Sequence, residues 1–246
     1  MRFAAILCLI ASVSAAMADV DRSPRPDMRP EAKQAVPLAK LGEALKSLGA
    51  RSPQERAQRR EQRAGDRRAQ SMQGAVCNNP AIKGQRISRI PGRIRGCGIE
   101  EPVRITEVSG IRLTQAATVD CTTASALNQW VKDSVIPLTQ PVGGGVQALQ
   151  VVAHYACRTR NNRPGAKISE HGRGRAIDIS AIHLRNGQAI HVLTGWRNRQ
   201  TGPILKRLHA AACGPFGTVL GPNSDRFHQD HFHFDTARYR SGPFCR

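Results

Sequence analysis

The chain has 246 residues, of which 37 are lysine or arginine and 18 are acidic, so its formal net charge is +19. This length accommodates one sizeable domain with additional segments. No stretch beyond the N-terminal region is apolar enough to cross a membrane. The positive charge favours a polyanionic partner. The chain has no motif that combines basic with aromatic residues, so we expect no nucleic-acid partner.

Residues 1–18 have the composition of a secretory signal peptide. Met1-Arg2 precedes an apolar run from Phe3 to Ala16, and Ala16-Met17-Ala18 supplies small residues at the cleavage positions. The run is shorter than the about 20 residues that a membrane-spanning helix needs. We therefore expect cleavage after residue 18, export, and no transmembrane segment in the mature chain.

Six cysteines follow the signal peptide, and an even number in an exported protein predicts disulfide bonds. They form no Cys-x-x-Cys pair, which argues against a cysteine-bound zinc ion or a redox motif. We predict pairing in chain order: Cys77 with Cys97, Cys121 with Cys157, and Cys213 with Cys245.

Residues 19–75 differ in composition from a packed domain. This segment contains five prolines, lacks aromatic residues and is rich in arginine between residues 51 and 68. It cannot bury enough apolar surface to offset the loss of entropy on ordering, so we predict a basic, mostly disordered tail. Leucines at helical spacing between Leu38 and Leu48, and good helix formers over 54–70, favour transient helices. We expect the tail to contact anionic polymers.

Residues 76–246 show the patterns of a folded domain. Apolar alternation and turn residues predict strands over 103–108, 111–113, 146–157, 176–182, 189–193, 217–220 and 230–235. Apolar residues at helical spacing predict helices over 118–136, where Pro137 ends the helix, and over 203–213. Hairpin links rather than alternating crossovers favour an α+β fold, with a central antiparallel sheet flanked by helices and stapled by disulfides.

The segment from Ser169 to Asp178 combines a histidine, an aspartate and two glycines. Gly172 and Gly174 allow the backbone to fold back tightly, so His171 in a loop can meet Asp178 on the following strand. Histidine and aspartate are typical ligands of a catalytic zinc ion, which keeps one position for water. The segment therefore predicts two metal ligands.

A second segment near the C-terminus supplies three histidines. His231 and His233 are two residues apart on a predicted strand, so both side chains point to the same face. We predict that His233 completes a His/Asp/His site for Zn²⁺ and that His231 is the general base. Asp230 is an alternative base, and His228 is expected to stabilise the oxyanion or bind substrate.

Asp235 shares the face of His233, so it is a candidate for a residue that does not bind the metal itself but orients one of its ligands. His154, His183, His191 and His209 have no comparable neighbours, and we predict structural or surface roles for them.

The pattern Ser169-x-His171-x-x-Gly174-x-Ala176-x-Asp178 resembles the signature of the LAS metallopeptidases. These include D-alanyl-D-alanine carboxypeptidases and dipeptidases, the penicillin-insensitive murein endopeptidase and the Hedgehog signalling domain. The spacing His228-x-x-His231-x-His233 is similar to that of the murein endopeptidase. The resemblance implies a Hedgehog/DD-peptidase-like fold and the metal ligands His171, Asp178 and His233.

The segment Tyr155–Asn161 resembles the segment that precedes the signature in these enzymes. Arg158 then binds substrate or stabilises the oxyanion, and Ser169 also contacts substrate. Cys157 departs from that pattern. Together with the scattered cysteines, it makes residues 75–246 similar to the bacterial extensin-like C-terminal domain family, which is itself similar to these peptidases.

The resemblance implies a periplasmic or secreted zinc peptidase of the bacterial cell envelope. Its substrates would be stem peptides or cross-links of peptidoglycan, cleaved as an endopeptidase or a carboxypeptidase. The alternative is a non-catalytic, zinc-containing module for wall binding or signalling. The presence of both a ligand set and a candidate base favours the enzyme.

Overall fold

The computed structural model of the protein describes residues 52–246. It begins with helix α1, Pro53–Met72, in which Ser52 and Glu55 hydrogen-bond reciprocally at the N-terminus. The side chains of α1 are exposed, and the helix includes the segment 54–70 whose composition favours helix formation. The predicted signal peptide and the leucine-containing part of the tail lie outside the described residues. Within residues 52–246, no helix has the length and apolarity needed to span a bilayer.

A single large sheet forms the centre of the fold. Its strands follow the order β1, β2, β5, β6, β7, β8, β11, β10, β12, and β9 pairs with the second half of β8. A separate two-stranded sheet joins β3 and β4. The strand bounds are β1 Ala75–Val76, β2 Asn79–Arg86, β3 Ile90–Pro91, β4 Gly98–Ile99, β5 Val103–Val108, β6 Ile111–Val119, β7 Val146–Ala153, β8 Ala176–Leu184, β9 Ala189–His191, β10 Thr218–Leu220, β11 Phe232–Asp235 and β12 Phe244–Cys245.

The α+β class is confirmed, but the sheet is not wholly antiparallel. Strands β6 and β7 are parallel, as are β10 and β12. The first of these pairs arises because a helical segment connects the end of β6 to the start of β7, and such a crossover returns the chain in the same direction. The remaining neighbours in the sheet are antiparallel.

The connecting helical segment begins later and ends later than the predicted helix over 118–136. Helix α2, Cys121–Trp130, starts where the Asp120 side chain accepts a hydrogen bond from the Thr123 amide. A π-helical turn, Val131–Val135, leads into α3, Ile136–Thr139. Pro137 therefore does not end the helix. The π turn widens the hydrogen-bond pattern just before the proline, and a proline in the first turn of α3 has no intrahelical amide bond to lose.

The core lies between the sheet and the helices on one side of it. The Trp130 indole donates a hydrogen bond to the Leu208 carbonyl in α5, Gly202–Ala212. Its ring also packs edge-on against Phe234 at 5.0 Å. A short helix α4, Val192–Gly195, follows β9. Phe232 and Phe234 of β11 point into this core, so the residues between and after them face the opposite side.

Three disulfides are present, but two of the predicted pairings are wrong. Cys77 bonds to Cys121, Cys97 bonds to Cys157, and Cys213 bonds to Cys245 as predicted. Chain order fails for the first two because the tertiary fold places Cys77 at the start of α2 and Cys97 beside the loop that follows β7. Three disulfides are typical of a protein that folds in an oxidising compartment outside the cytoplasm.

Candidate metal centre

Three donor side chains from two neighbouring strands and one preceding turn converge at a single point. His233 in β11 lies directly opposite Asp178 in β8, and its Nδ1 is 2.8 Å from Asp178 Oδ1. His171 lies in the 3-10 turn Glu170–Arg173 just before β8. Its Nε2 is 3.2 Å from Asp178 Oδ2 and 3.1 Å from His233 Nδ1. All three residues are buried, and their donor atoms are close enough together to hold one metal ion.

Hydrogen bonds on the far side of each imidazole set its orientation. His171 Nδ1 donates to the His154 carbonyl at 2.8 Å, which leaves Nε2 as the ring nitrogen that faces Asp178. His233 Nε2 donates to Asp235 Oδ2 at 3.2 Å, which leaves Nδ1 as the ring nitrogen that faces the same carboxylate. Such outer partners are typical of metal-binding histidines, because they fix the tautomer and raise the basicity of the ligand. The donor set therefore fits a divalent metal.

The charges in the group stabilise one another. Burial alone would raise the pKa of Asp178, but hydrogen bonds from His171 and His233 outweigh it and hold that pKa well below its usual range. Burial alone would lower the pKa of His233, but its contacts with Asp178 and Asp235 raise it to about 9. A metal ion binding here must therefore displace a proton from His233.

The two glycines of the first motif are each needed for a different structural reason. Gly174 ends the 3-10 turn in the left-handed region, with φ at +67°, and a Cβ there would collide with the Ile99 side chain. At Gly172, a Cβ would lie 3.0 Å from the Cys97 sulfur. The turn that bears His171 is therefore packed against the Cys97–Cys157 disulfide. The Ala156 amide, next to that disulfide, donates to the His171 carbonyl at 3.2 Å.

His231 lies beside the three donors but is not one of them. It precedes β11 rather than belonging to it, so the predicted strand over 230–235 starts two residues too early. Its Nε2 nonetheless reaches 3.6 Å from Asp178 Oδ2, while its Nδ1 is 2.8 Å from Asp230 Oδ1. Asp230 is 66% exposed at its side chain and lies on the outer side of the His231 ring. Of the two candidate bases, His231 is the one that faces the donor group.

His228 forms a similar pair with a carboxylate that sequence reasoning missed. Its Nδ1 is 2.8 Å from Asp225 Oδ1. Its ring centre lies 5.3 Å from that of His231 and 5.6 Å from that of His233. Burial lowers the pKa of His228, with the nearby imidazoles adding to that effect and Asp225 opposing it. The separation of three residues in Asp225-x-x-His228 is the signal that would have identified this pair.

The donor group opens into a cleft of about 550 Å³, lined also by Arg158, Arg160 and Ser169. The cleft carboxylates have cationic or imidazole partners: Glu170 pairs with Arg173, Asp225 with His228, and Asp178 and Asp235 with His233. Within residues 52–246, neither Arg158 nor Arg160 forms an ion pair. Arg158 and Arg160 are therefore cleft cations without an acidic partner, and they favour an anionic group on a ligand.

The histidines predicted to have structural or surface roles lie outside the donor group, although the main chain of His154 contacts it. His183 hydrogen-bonds to Gln150, and His209 is buried between Trp196 and Phe232. The His154 ring has no part in the donor group, but its carbonyl orients His171. Main-chain contacts of this kind leave no pattern in the sequence.

Comparison with protein families finds a match to the family described as Extensin-like protein C-terminus, over residues 74–246. No curated protein and no solved structure matches the chain.

Proposed function

The chain belongs to the Extensin-like protein C-terminus family, and from that premise we propose that it is a zinc-dependent peptidase that hydrolyses peptide bonds in peptidoglycan stem peptides or cross-links. The observation that supports this most directly is the convergence of His171, Asp178 and His233 in an open cleft beside His231. The match of residues 169–178 to the LAS signature supports a Hedgehog/DD-peptidase-like fold as part of the same proposal.

His171 Nε2, Asp178 and His233 Nδ1 would hold the zinc ion. When bound, Zn²⁺ supplies Lewis-acid chemistry: it polarises the substrate carbonyl and lowers the pKa of a water molecule towards about 7. With three protein ligands, the site would match catalytic zinc sites, which keep one position for water. The His154 carbonyl and Asp235 keep both imidazoles in the tautomers that bind the metal.

His231 is the proposed general base. Its Nδ1–H is held by Asp230, so the lone pair is on Nε2, the nitrogen that faces the donor group. Nε2 accepts a proton from the attacking water and later returns it to the nitrogen of the leaving amine. General-base catalysis of this kind contributes about a hundredfold or more to the rate.

The arginines at the cleft support an acidic peptide as substrate. Arg158 and Arg160 have no ion-pair partner among the described residues and line the cleft with Ser169. Arg158 would contact a substrate carboxylate or the oxyanion that develops at the attacked carbonyl. The disulfides fit the periplasm or the cell exterior, and the basic tail would hold the enzyme near anionic envelope polymers.

Metal analysis combined with muropeptide digestion tests the proposal. The purified protein is assayed for bound metal, then incubated with muropeptides whose products are identified by mass spectrometry. We expect zinc at one ion per chain and a new peptide product that His231→Ala does not form. Bound zinc without cleavage by the wild type would instead support the non-catalytic wall-binding or signalling module. Absence of bound metal would refute the site itself.

A further inference from the structure

Three exposed aromatic rings line the same cleft as the candidate metal centre. Phe227, Tyr239 and Phe244 are 39%, 43% and 44% exposed, and all three contribute to the cleft wall. The remaining phenylalanine and tryptophan residues of the described range are buried: Trp130, Trp196, Phe216, Phe232 and Phe234. Aromatic surface left exposed at one place in the fold marks an interaction surface.

These rings come from two different parts of the cleft. Phe244 lies opposite Thr218 in the parallel pair of β12 and β10. The Tyr239 hydroxyl is 3.1 Å from the Thr218 hydroxyl, so Tyr239 and Phe244 both neighbour Thr218 of β10. Phe227 instead immediately precedes His228, in the loop before β11. The cleft therefore has aromatic surface both near β10 and near the histidine loop, which suits an extended ligand.

Arginine side chains accompany two of these rings. The Arg226 and Arg163 guanidinium carbons lie 4.8 and 5.8 Å from the Phe227 ring centre. The Arg246 guanidinium carbon lies 5.0 Å from the Phe244 ring centre. None of the three arginines forms an ion pair within residues 52–246. Each guanidinium lies over the face of its ring, and its N–H groups are free for a polar or anionic ligand beside that ring.

This combination of groups fits a carbohydrate better than an apolar peptide. A sugar ring has an apolar C–H face that packs on an aromatic ring, while its hydroxyl and carbonyl oxygens accept hydrogen bonds from arginine. An apolar peptide would leave the guanidinium groups without acceptors. Acidic groups attached to such a glycan would meet Arg158 and Arg160, which line the same cleft.

We propose that the aromatic-arginine rim, formed by Phe227, Tyr239 and Phe244 with Arg163, Arg226 and Arg246, binds the glycan strand to which the stem peptide is attached. The inference rests on the proposed peptidase function and extends it. The enzyme acts preferentially on peptides that are still joined to glycan, because the rim contributes binding energy that a free peptide cannot use.

Binding of peptide-free glycan strands tests the rim without reference to cleavage. Strands stripped of their peptides are titrated into the full chain by calorimetry. We expect Phe227→Ala and Tyr239→Ala to weaken binding about tenfold or more, and Tyr239→Phe to retain it, because the ring persists. Leu193→Ala removes an exposed apolar side chain that does not line the cleft, and should bind like the wild type. Absence of glycan binding by the wild type, or wild-type binding by Phe227→Ala, would overturn the proposal.

Cleavage of matched substrates separates this proposal from the peptidase function. The same stem peptide is offered free and glycan-attached, and we expect kcat/KM to be about tenfold higher for the attached form. Phe227→Ala should bring the ratio towards one. Equal cleavage of both forms by the wild type would refute glycan recognition and leave the peptidase intact. Glycan binding without cleavage of either form would refute the peptidase and leave the rim intact.

Discussion

Asp230 and His231 form a carboxylate–imidazole pair that points at the candidate metal centre. Asp230 Oδ1 is 2.8 Å from His231 Nδ1, and the opposite nitrogen of the same ring is 3.6 Å from Asp178 Oδ2. The two adjacent residues therefore occupy different positions relative to the candidate metal centre. His231 faces the donor group, whereas Asp230 lies behind it and orients the ring.

This arrangement predicts unequal effects of two substitutions on activity. We expect His231→Ala to lower kcat about a hundredfold or more, since it removes the group proposed to accept the proton. Asp230→Ala should lower kcat less, by about tenfold, because the imidazole remains but loses its fixed tautomer. Steady-state kinetics on a muropeptide would measure both. A larger loss in Asp230→Ala than in His231→Ala would make Asp230 the base.

The outer partner of His233 should control metal affinity. Asp235→Asn keeps the size of the side chain but removes the charge that supports the imidazole, and we expect about a tenfold to hundredfold weaker metal binding. Asp178→Asn removes the carboxylate charge of a proposed ligand and should abolish stoichiometric binding. Metal titration of protein stripped with a chelator measures both effects. Asp225→Asn is the matched control, since Asp225 contacts His228 rather than a ligand. Equal affinity in Asp235→Asn and wild type would exclude the orienting role.

Metal binding should also depend on pH in a defined direction. The pKa of His233 is raised to about 9 in the metal-free protein, so below that pH the metal competes with a proton. Affinity is therefore expected to rise between about pH 6 and pH 9, approaching about tenfold per pH unit for one displaced proton. Calorimetry in buffers of different ionisation enthalpy measures the proton released. No proton release near neutral pH would contradict this assignment.

The same raised pKa predicts the opposite trend for stability of the metal-free protein. A group whose pKa is higher in the folded than in the unfolded state stabilises the fold fully below the unfolded value of about 6.5. That contribution is lost as the pH rises through about 9. Urea unfolding of metal-free protein across this range, with His233→Gln as control, should show the loss only in the wild type.

A comparison of two disulfides separates effects on the stability of the fold from effects on the geometry of the metal site. Replacing either Cys97 and Cys157 or Cys213 and Cys245 by serine should destabilise the fold by about 2–5 kcal/mol. The first pair packs against the turn that bears His171, so its loss should also weaken metal binding. The second pair joins the end of α5 to β12, and its loss should leave the metal affinity of the folded protein unchanged. Urea unfolding and metal titration of both double variants measure this difference. Equal metal affinities in the two would show that the first disulfide does not position the site.

The sequence by itself determined the local parts of this protein. Period-two apolar patterns identified strands such as β5 and β8, because side chains alternate across a strand whatever its neighbours are. The same periodicity placed His233 and Asp235 on one face of β11, opposite Phe232 and Phe234. The glycines around His171 likewise indicated a tight turn before Asp178. These features depend on residues less than about ten positions apart, and backbone geometry alone relates them.

Only the tertiary structure decided which distant segments meet. The parallel pairing of β6 and β7 and the Cys77–Cys121 and Cys97–Cys157 disulfides depend on how the helical crossover folds back over the sheet. The orientation of His231 by Asp230 depends on where β11 begins against β8. Phe227, Tyr239 and Phe244 share a cleft because β10, β12 and the histidine loop are neighbours in space. Such contacts depend on the packing of the whole domain. The spacing of residues along the chain does not indicate that packing.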